Sequence, residues 1–152
     1  MSEKEQLARK YFKDGYNCAQ SVFLAYAQDY GFDKVTALKL SSSFGGGMGR
    51  LREVCGAVSS MFMVAGLEDG YIENNNDDKK AKHYALIQQL AEEFKKKHNS
   101  IICRELLGLD ENISSPNPSK RTAQYYKERP CENFVADACI ILDKYLANKK
   151  EV

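Results

Sequence analysis

A chain of 152 residues is long enough to bury a core of its own without disulfides or a partner, and it points to a single domain over residues 1–152. The 22 Lys plus Arg against 21 Asp plus Glu leave a formal charge of +1, so no field of one sign draws the chain to nucleic acid or to an anionic membrane. A composition of 43% hydrophobic and 28% charged residues with three prolines excludes a disordered or collagen-like chain, which leaves five cysteines as the unusual feature.

Met1 to Lys10 is charged and has no apolar stretch of the secretory kind, so export is not expected. Residues 3–13 read as a first helix ended by Gly15. Asn17 can cap a second, running from Cys18 to Gly31, and Asp33 can cap a short third from Lys34 to about Ser43. The segment Phe44-Gly45-Gly46-Gly47-Met48-Gly49-Arg50 is too rich in glycine to be helical and predicts a helix-to-helix loop. A fourth helix is expected from about Glu53 to Leu67. Its apolar run, Met61 to Leu67, is seven residues, far below the roughly 20 needed to cross a bilayer.

The segment 74–78 (NNNDD) reads as a turn offering caps. The next stretch is the clearest helix, with Tyr84, Ile87, Ala91 and Phe94 at three- and four-residue steps and Leu86 and Leu90 widening the stripe. His83 and His98, on that helix and at its end, are expected to be solvated. Ser100 can cap a short helix holding Cys103, Leu106 and Leu107 and stopped at Gly108. Residues 111–120 carry two prolines and predict an irregular loop, the most mobile segment of the chain. The last helix should start near Pro130, with Phe134, Val135, Ala138, Ile141, Leu142, Tyr145 and Leu146 on one broad face. No segment alternates as a strand would, so the expected fold is all-α: one domain of six to eight helices with short loops.

These boundaries set Cys18, Cys55, Cys103 and Cys131 in the first turn of a helix, where free N–H groups and the helix dipole stabilise an anion by about 0.3–1 kcal/mol and favour thiolate over thiol. Cys139, flanked by Ala138 and Ile140 inside the last helix, reads as core. No CxxC is present, so the spacings of zinc ribbons, thioredoxins and ferredoxins are absent, and no CxxCH supports haem attachment. A metal shared by the four thiols would have to be assembled by the fold. The glycine loop lacks the preceding strand of a dinucleotide fingerprint and the Gly-Lys-Ser/Thr ending of a P-loop, so nucleotide binding is not expected. Its glycines would instead let the backbone approach a partner group closely, while Arg50 or Arg52 offsets thiolate charge.

The blocks GYNCAQSVFLAYAQDYG, FGGGMGRLREVCGAVSSMFMVAGL and CRELLG, followed by a late cysteine and an amphipathic helix, together resemble the C_GCAxxG_C_C family of redox-active proteins over roughly residues 10–145. The residues that match are Cys18, Cys55, Cys103 and Cys131 with Gly45, Gly46, Gly47, Gly49 and Arg50. Ser60 stands where that family's pattern has a glycine, which argues against a very close backbone approach there. The resemblance implies a redox or metal-linked role; the family is also distantly similar to part of split-Soret cytochrome c, although no haem is expected here.

The sequence thus points to a cytoplasmic redox-active protein, an oxidoreductase or electron-transfer component. Its Cys18, Cys55, Cys103 and Cys131 would converge as catalytic thiols or metal ligands, with Gly45, Gly46, Gly47, Gly49 and Arg50 forming one wall of a cofactor site. Four thiolates at one place repel unless a cation neutralises them, which favours an iron–sulfur cluster or another thiolate-bound metal over a dithiol/disulfide centre. The expected partner is an unidentified redox protein or a second copy of the chain, not nucleic acid or a membrane. The alternative is a non-catalytic all-α interaction or scaffold module with buried inert cysteines.

Overall fold

Short polar side chains, those of Ser2, Asn17, Asp33, Asn76 and Thr122, set where five of the helices begin. In the computed structural model, which describes residues 1–109 and 115–150, Ser2 accepts from the N–H of Glu5 and opens α1 (Glu3–Lys13). Asn17 and Gln20 form a reciprocal capping box that opens α2 (Cys18–Ala27). Asp33 accepts from Thr36 N–H at 2.7 Å and opens α3 (Lys34–Ser42), after a 3-10 turn over Gln28–Tyr30 and a left-handed Gly31. The helix α4 (Gly56–Asp69) has Cys55 as its cap residue, and α5 (Asp77–His98) is capped by Asn76. Two short helices, α6 (Cys103–Leu106) and α7 (Ala123–Glu128), precede the long α8 (Cys131–Lys150).

The all-α expectation holds, and the boundaries fall within about three residues of those read from sequence. The sequence reading missed α7, where Thr122 accepts from Tyr125 N–H at 3.2 Å. Among the described residues the nearest thing to a sheet is a lone antiparallel bridge, Val54 with Ile102. Of the irregular loop expected over 111–120, residues 111–114 lie outside the described residues and 115–120 are non-helical. No described helix is long and apolar enough to cross a membrane.

The core lies between α1, α2, α4 and α8, with α2 packed most extensively on α4. Phe12, Val22, Leu24, Tyr26, Val58, Met61, Val135 and Leu142 are buried there, each contributing about 1.5–3 kcal/mol through the apolar surface it removes from water. The second layer is α5, which buries Leu90 and Phe94 and leaves Tyr84 half exposed, so its apolar stripe is narrower than expected. His98 is not solvated: its Nε2 lies 2.6 Å from Asp137 Oδ2, and its ring sits between Phe94 and Phe134, because the end of α5 packs onto α8.

Between α3 and α4 the chain makes a left-handed turn. Five consecutive residues, Gly46, Gly47, Met48, Gly49 and Arg50, have φ between +60° and +70°. Gly49 N–H still bonds back to the Gly45 carbonyl, but the reversed hand makes Gly45–Met48 a turn and not another helix. L-residues resist this conformation by roughly 1–2 kcal/mol each, which Met48 and Arg50 bear and the glycines avoid.

Candidate functional site

Cys18 is the first residue of α2, and its sulfur faces the first residue of α4. The Cys55 thiol and the backbone N–H groups of Gly46, Ala19 and Gly56 all favour negative charge on that sulfur. Those donors come from both helix starts and from the left-handed turn, so three separate pieces of chain point positive dipoles at one atom. The Cys55 thiol contributes most. Together the donors overcome burial and hold the Cys18 thiol down to about 6, below its ordinary range. Cys55 is pushed well above its ordinary value, first because its proton bridges to the Cys18 sulfur, then by burial and by the Cys18 charge.

Small residues make this approach possible. A methyl group on Gly56 would lie 2.6 Å from Cys18 Sγ and 2.7 Å from the Phe44 carbonyl, so α2 and α4 can meet here only across a glycine. One turn on, Ser60 is fully buried and donates to the Ala19 carbonyl at 2.7 Å. The departure at Ser60 therefore does not hold the helices apart; its hydroxyl ties them together.

The bridge between Val54 and Ile102 brings in the third thiol. Cys55 N–H donates to the Ile101 carbonyl at 2.8 Å, and Cys103 N–H donates to the Glu53 carbonyl at 2.6 Å. Behind Cys103 lies Gly47, whose added methyl would stand 2.6 Å from Cys103 Cβ. Arg52, almost buried, extends Nη1 to within 3.5 Å of Cys103 Sγ, so of the two arginines expected to offset thiol charge it is Arg52 that reaches a sulfur. Arg50 instead donates from Nε to the Ser115 carbonyl at 2.8 Å. Burial still dominates at Cys103 and raises its pKa despite Arg52.

Cys131, at the start of α8, is pushed up to about 12, first by burial and then by the charge it would share with Cys18 and Cys103. The expectation that all four helix-start thiols lean toward thiolate is therefore corrected: only Cys18 does. A helix start stabilises charge too weakly to outweigh desolvation unless further donors converge, as they do at Cys18 alone. Cys139 is fully buried against α2, where the Tyr26 hydroxyl meets its carbonyl, and burial pushes it up to about 12.

Cys18, Cys55, Cys103 and Cys131 all line one cavity of 350 Å³, and Cys139 stands apart from it. Gly45, Gly46, Gly49 and Arg50 share the wall, with Gly47 behind it. Sequence reasoning missed Arg121, Arg129, Tyr125 and Phe12, which close the cavity from α1, α7 and its flanks. Arg121 donates to the carbonyls of Phe12 at 2.9 Å and Tyr16 at 3.0 Å and lies 4.2 Å above the Phe12 ring. Shared lining is not a ligand set, however. Among the described residues no three Cys, His, Asp or Glu side chains stand together so that they could hold a metal ion. As they stand, the four thiols share a cavity without forming one ligand set.

The acidified thiol carries a pH signature. Alkylation needs the thiolate, so iodoacetamide labelling of Cys18 is expected to be half-maximal near pH 6, rising above that pH and falling below it. Cys55→Ala removes the largest contribution and should move the midpoint upward. Labelling rates followed by peptide mass spectrometry from pH 4.5 to 9 measure both; a wild-type midpoint above pH 8 would contradict the geometry.

No curated protein and no solved structure matches the chain, and the likeness to split-Soret cytochrome c is not shown. A family model does match, over residues 16–145, with the description "Putative redox-active protein (C_GCAxxG_C_C)". That span takes in Cys18, Cys55, Cys103 and Cys131 and most of the fold, and the chain belongs to this redox-active family.

Proposed function

We propose that the protein is a dithiol/disulfide exchange centre in which Cys18 is the attacking thiolate and Cys55 the resolving thiol. The observation that carries this reading is the meeting of Cys18, the more exposed of the two, with Cys55 at the facing starts of α2 and α4, where the Cys55 thiol and three backbone N–H groups favour charge on the Cys18 sulfur. Cys18 attacks one sulfur of a disulfide, and the other sulfur leaves as thiolate. The mixed disulfide on Cys18 has no charge, so two of the causes that kept Cys55 protonated disappear. The N–H groups of Val58 and Ala57, at the start of α4, already favour charge on Cys55. Cys55 then releases its proton and attacks the Cys18 sulfur, expelling the second thiolate and closing a Cys18–Cys55 disulfide.

The gain in rate is moderate. At pH 7 a pKa of about 6 raises the thiolate fraction roughly 90-fold over an ordinary thiol near 9, and the lower nucleophilicity of that thiolate returns much of it, leaving about 4-fold. The site's larger contribution is selection of one thiol among five. The assembly of four thiols at one cavity, with the fifth apart, also argues against an inert scaffold.

The test is anaerobic purification with metal analysis, then stoichiometric oxidation. The metal-free protein should lose two of its five thiols, and digestion should yield a peptide linking Cys18 to Cys55. Recovery of a bound metal that shields Cys18, Cys55, Cys103 and Cys131, or a linkage between Cys103 and Cys131 alone, would replace this reading.

A further inference from the structure

The charge on the cavity wall is not explained by its thiols. Arg50, Arg52, Arg121 and Arg129 all line it, and among the described residues no aspartate or glutamate does. Guanidinium groups stay charged at any working pH, while Cys18 is the only thiol here whose pKa is lowered, so one thiolate faces four cations. Arg121 is occupied by the Phe12 and Tyr16 carbonyls, and Arg52 by Cys103. Arg50 uses Nε and Nη1 on Ser115 and Ser119, and its Nη2 makes no hydrogen bond among the described residues. The Arg129 guanidinium rests 5.8 Å from the Tyr125 ring centre and has no hydrogen bond or ion pair there among the described residues.

Arg50 and Arg129 are close enough to repel. After burial, the charges of Arg52 and Arg129 are what disfavour the charge on Arg50. Cations that disfavour one another's charge in this way are relieved by an anion that enters from solution. Tyr125, Phe134, Leu106 and Pro116 add apolar wall beside the polar Asn17, Ser42 and Ser119, and 350 Å³ suits a small organic molecule.

We infer that the substrate is a small organic disulfide bearing an acidic group, which Arg50 and Arg129 hold while Cys18 attacks its sulfur; this rests on the dithiol reading above. The Cys18 thiolate bonds to one substrate sulfur, the substrate S–S bond breaks, and the first thiolate leaves. Cys55 loses its proton to water and attacks Cys18 Sγ, and the second thiolate leaves. Two electrons pass from the protein dithiol to the substrate disulfide.

The test compares three disulfides of similar size on the reduced full chain at pH 7: anionic 3,3′-dithiodipropionate, neutral bis(2-hydroxyethyl) disulfide and cationic cystamine. Each rate is divided by that of the same disulfide with 2-mercaptoethanol, which removes differences in leaving group. The anionic compound is expected to lead the neutral one by about 10-fold and the cationic one to trail both, with the preference shrinking in 0.5 M salt. Arg129→Gln should lower the anionic rate about 5-fold more than the neutral rate, and Arg50→Gln should do the same. Equal normalised rates for all three disulfides in the wild-type chain would overturn the inference and leave the dithiol reading standing. Failure of every disulfide to oxidise Cys18 would overturn both.

Discussion

Replacing Cys18 with serine is expected to lower the chain's alkylation and disulfide-exchange rates at pH 7 by at least about 4-fold, the advantage its site holds over an ordinary thiol. The thiols left behind are Cys55, freed of the Cys18 charge but still buried, and three that burial holds protonated, Cys103 and, at about 12, Cys131 and Cys139. Their greater intrinsic nucleophilicity recovers only part of the difference. Stability should change little, because serine at the first position of α2 keeps the Asn17–Gln20 capping box. Cys55→Ser should behave differently: the first exchange proceeds, and the mixed disulfide on Cys18 accumulates because nothing resolves it. Quenched reactions analysed by intact mass distinguish the two. A Cys18→Ser chain that still reacts at the wild-type rate would move the nucleophile elsewhere in the cavity.

The second large effect is expected from Gly47→Ala. An added methyl meets Cys103 Cβ at 2.6 Å, Glu53 N at 2.8 Å and Arg52 Cα at 2.9 Å, and two of those three atoms are backbone that cannot swing aside. Left-handed strain adds roughly 1–2 kcal/mol to an overpacking cost of typically 1–3 kcal/mol. The sum, about 2–5 kcal/mol, is a large share of the 5–15 kcal/mol typical of a folded domain. Gly49→Ala is the matched comparison, since its φ of +60° carries the same strain while its nearest neighbour, the Ser43 carbonyl, is 3.7 Å away. Urea denaturation of the two variants should separate them by at least the overpacking contribution; equal midpoints would mean that the turn yields.

Much of the site was legible because its cysteines stand next to local signals. Asn17, Ser100 and Pro130 are punctuation marks that a single chain displays, and they locate the helix starts where Cys18, Cys103 and Cys131 fall. Cys139 was readable as core because it lies mid-helix among apolar residues. What the thiols do at those starts was not legible. The acidity of Cys18 depends first on the Cys55 thiol and then on N–H groups of Gly46 and Gly56, which only tertiary packing brings to it, and the raised values at Cys103 and Cys131 follow from burial that no local spacing encodes. Arg121 and Arg129 escaped for a related reason. They flank the six-residue α7, too short for periodicity to reveal, and their meeting with Arg50 and Arg52 joins segments far apart in sequence. His98 was misplaced because its environment is supplied by α8.

The bridge between Val54 and Ile102 bears on how the chain reaches its native state. All of α4 and α5 lies between the two bridged residues, so the wall that carries Cys55 and Cys103 closes only after that long excursion has folded back. In the unfolded chain every thiol has its ordinary acidity, and at pH 6.5 only about 1% of each is thiolate. Once folding is complete, roughly three-quarters of Cys18 is ionised at that pH. Pulse labelling normally marks cysteines that unfolding exposes. Here, at slightly acid pH, labelling of Cys18 is expected to rise several-fold as its donors from α2, α4 and the left-handed turn come together, so Cys18 reports the assembly of that corner and not the closing of the bridge.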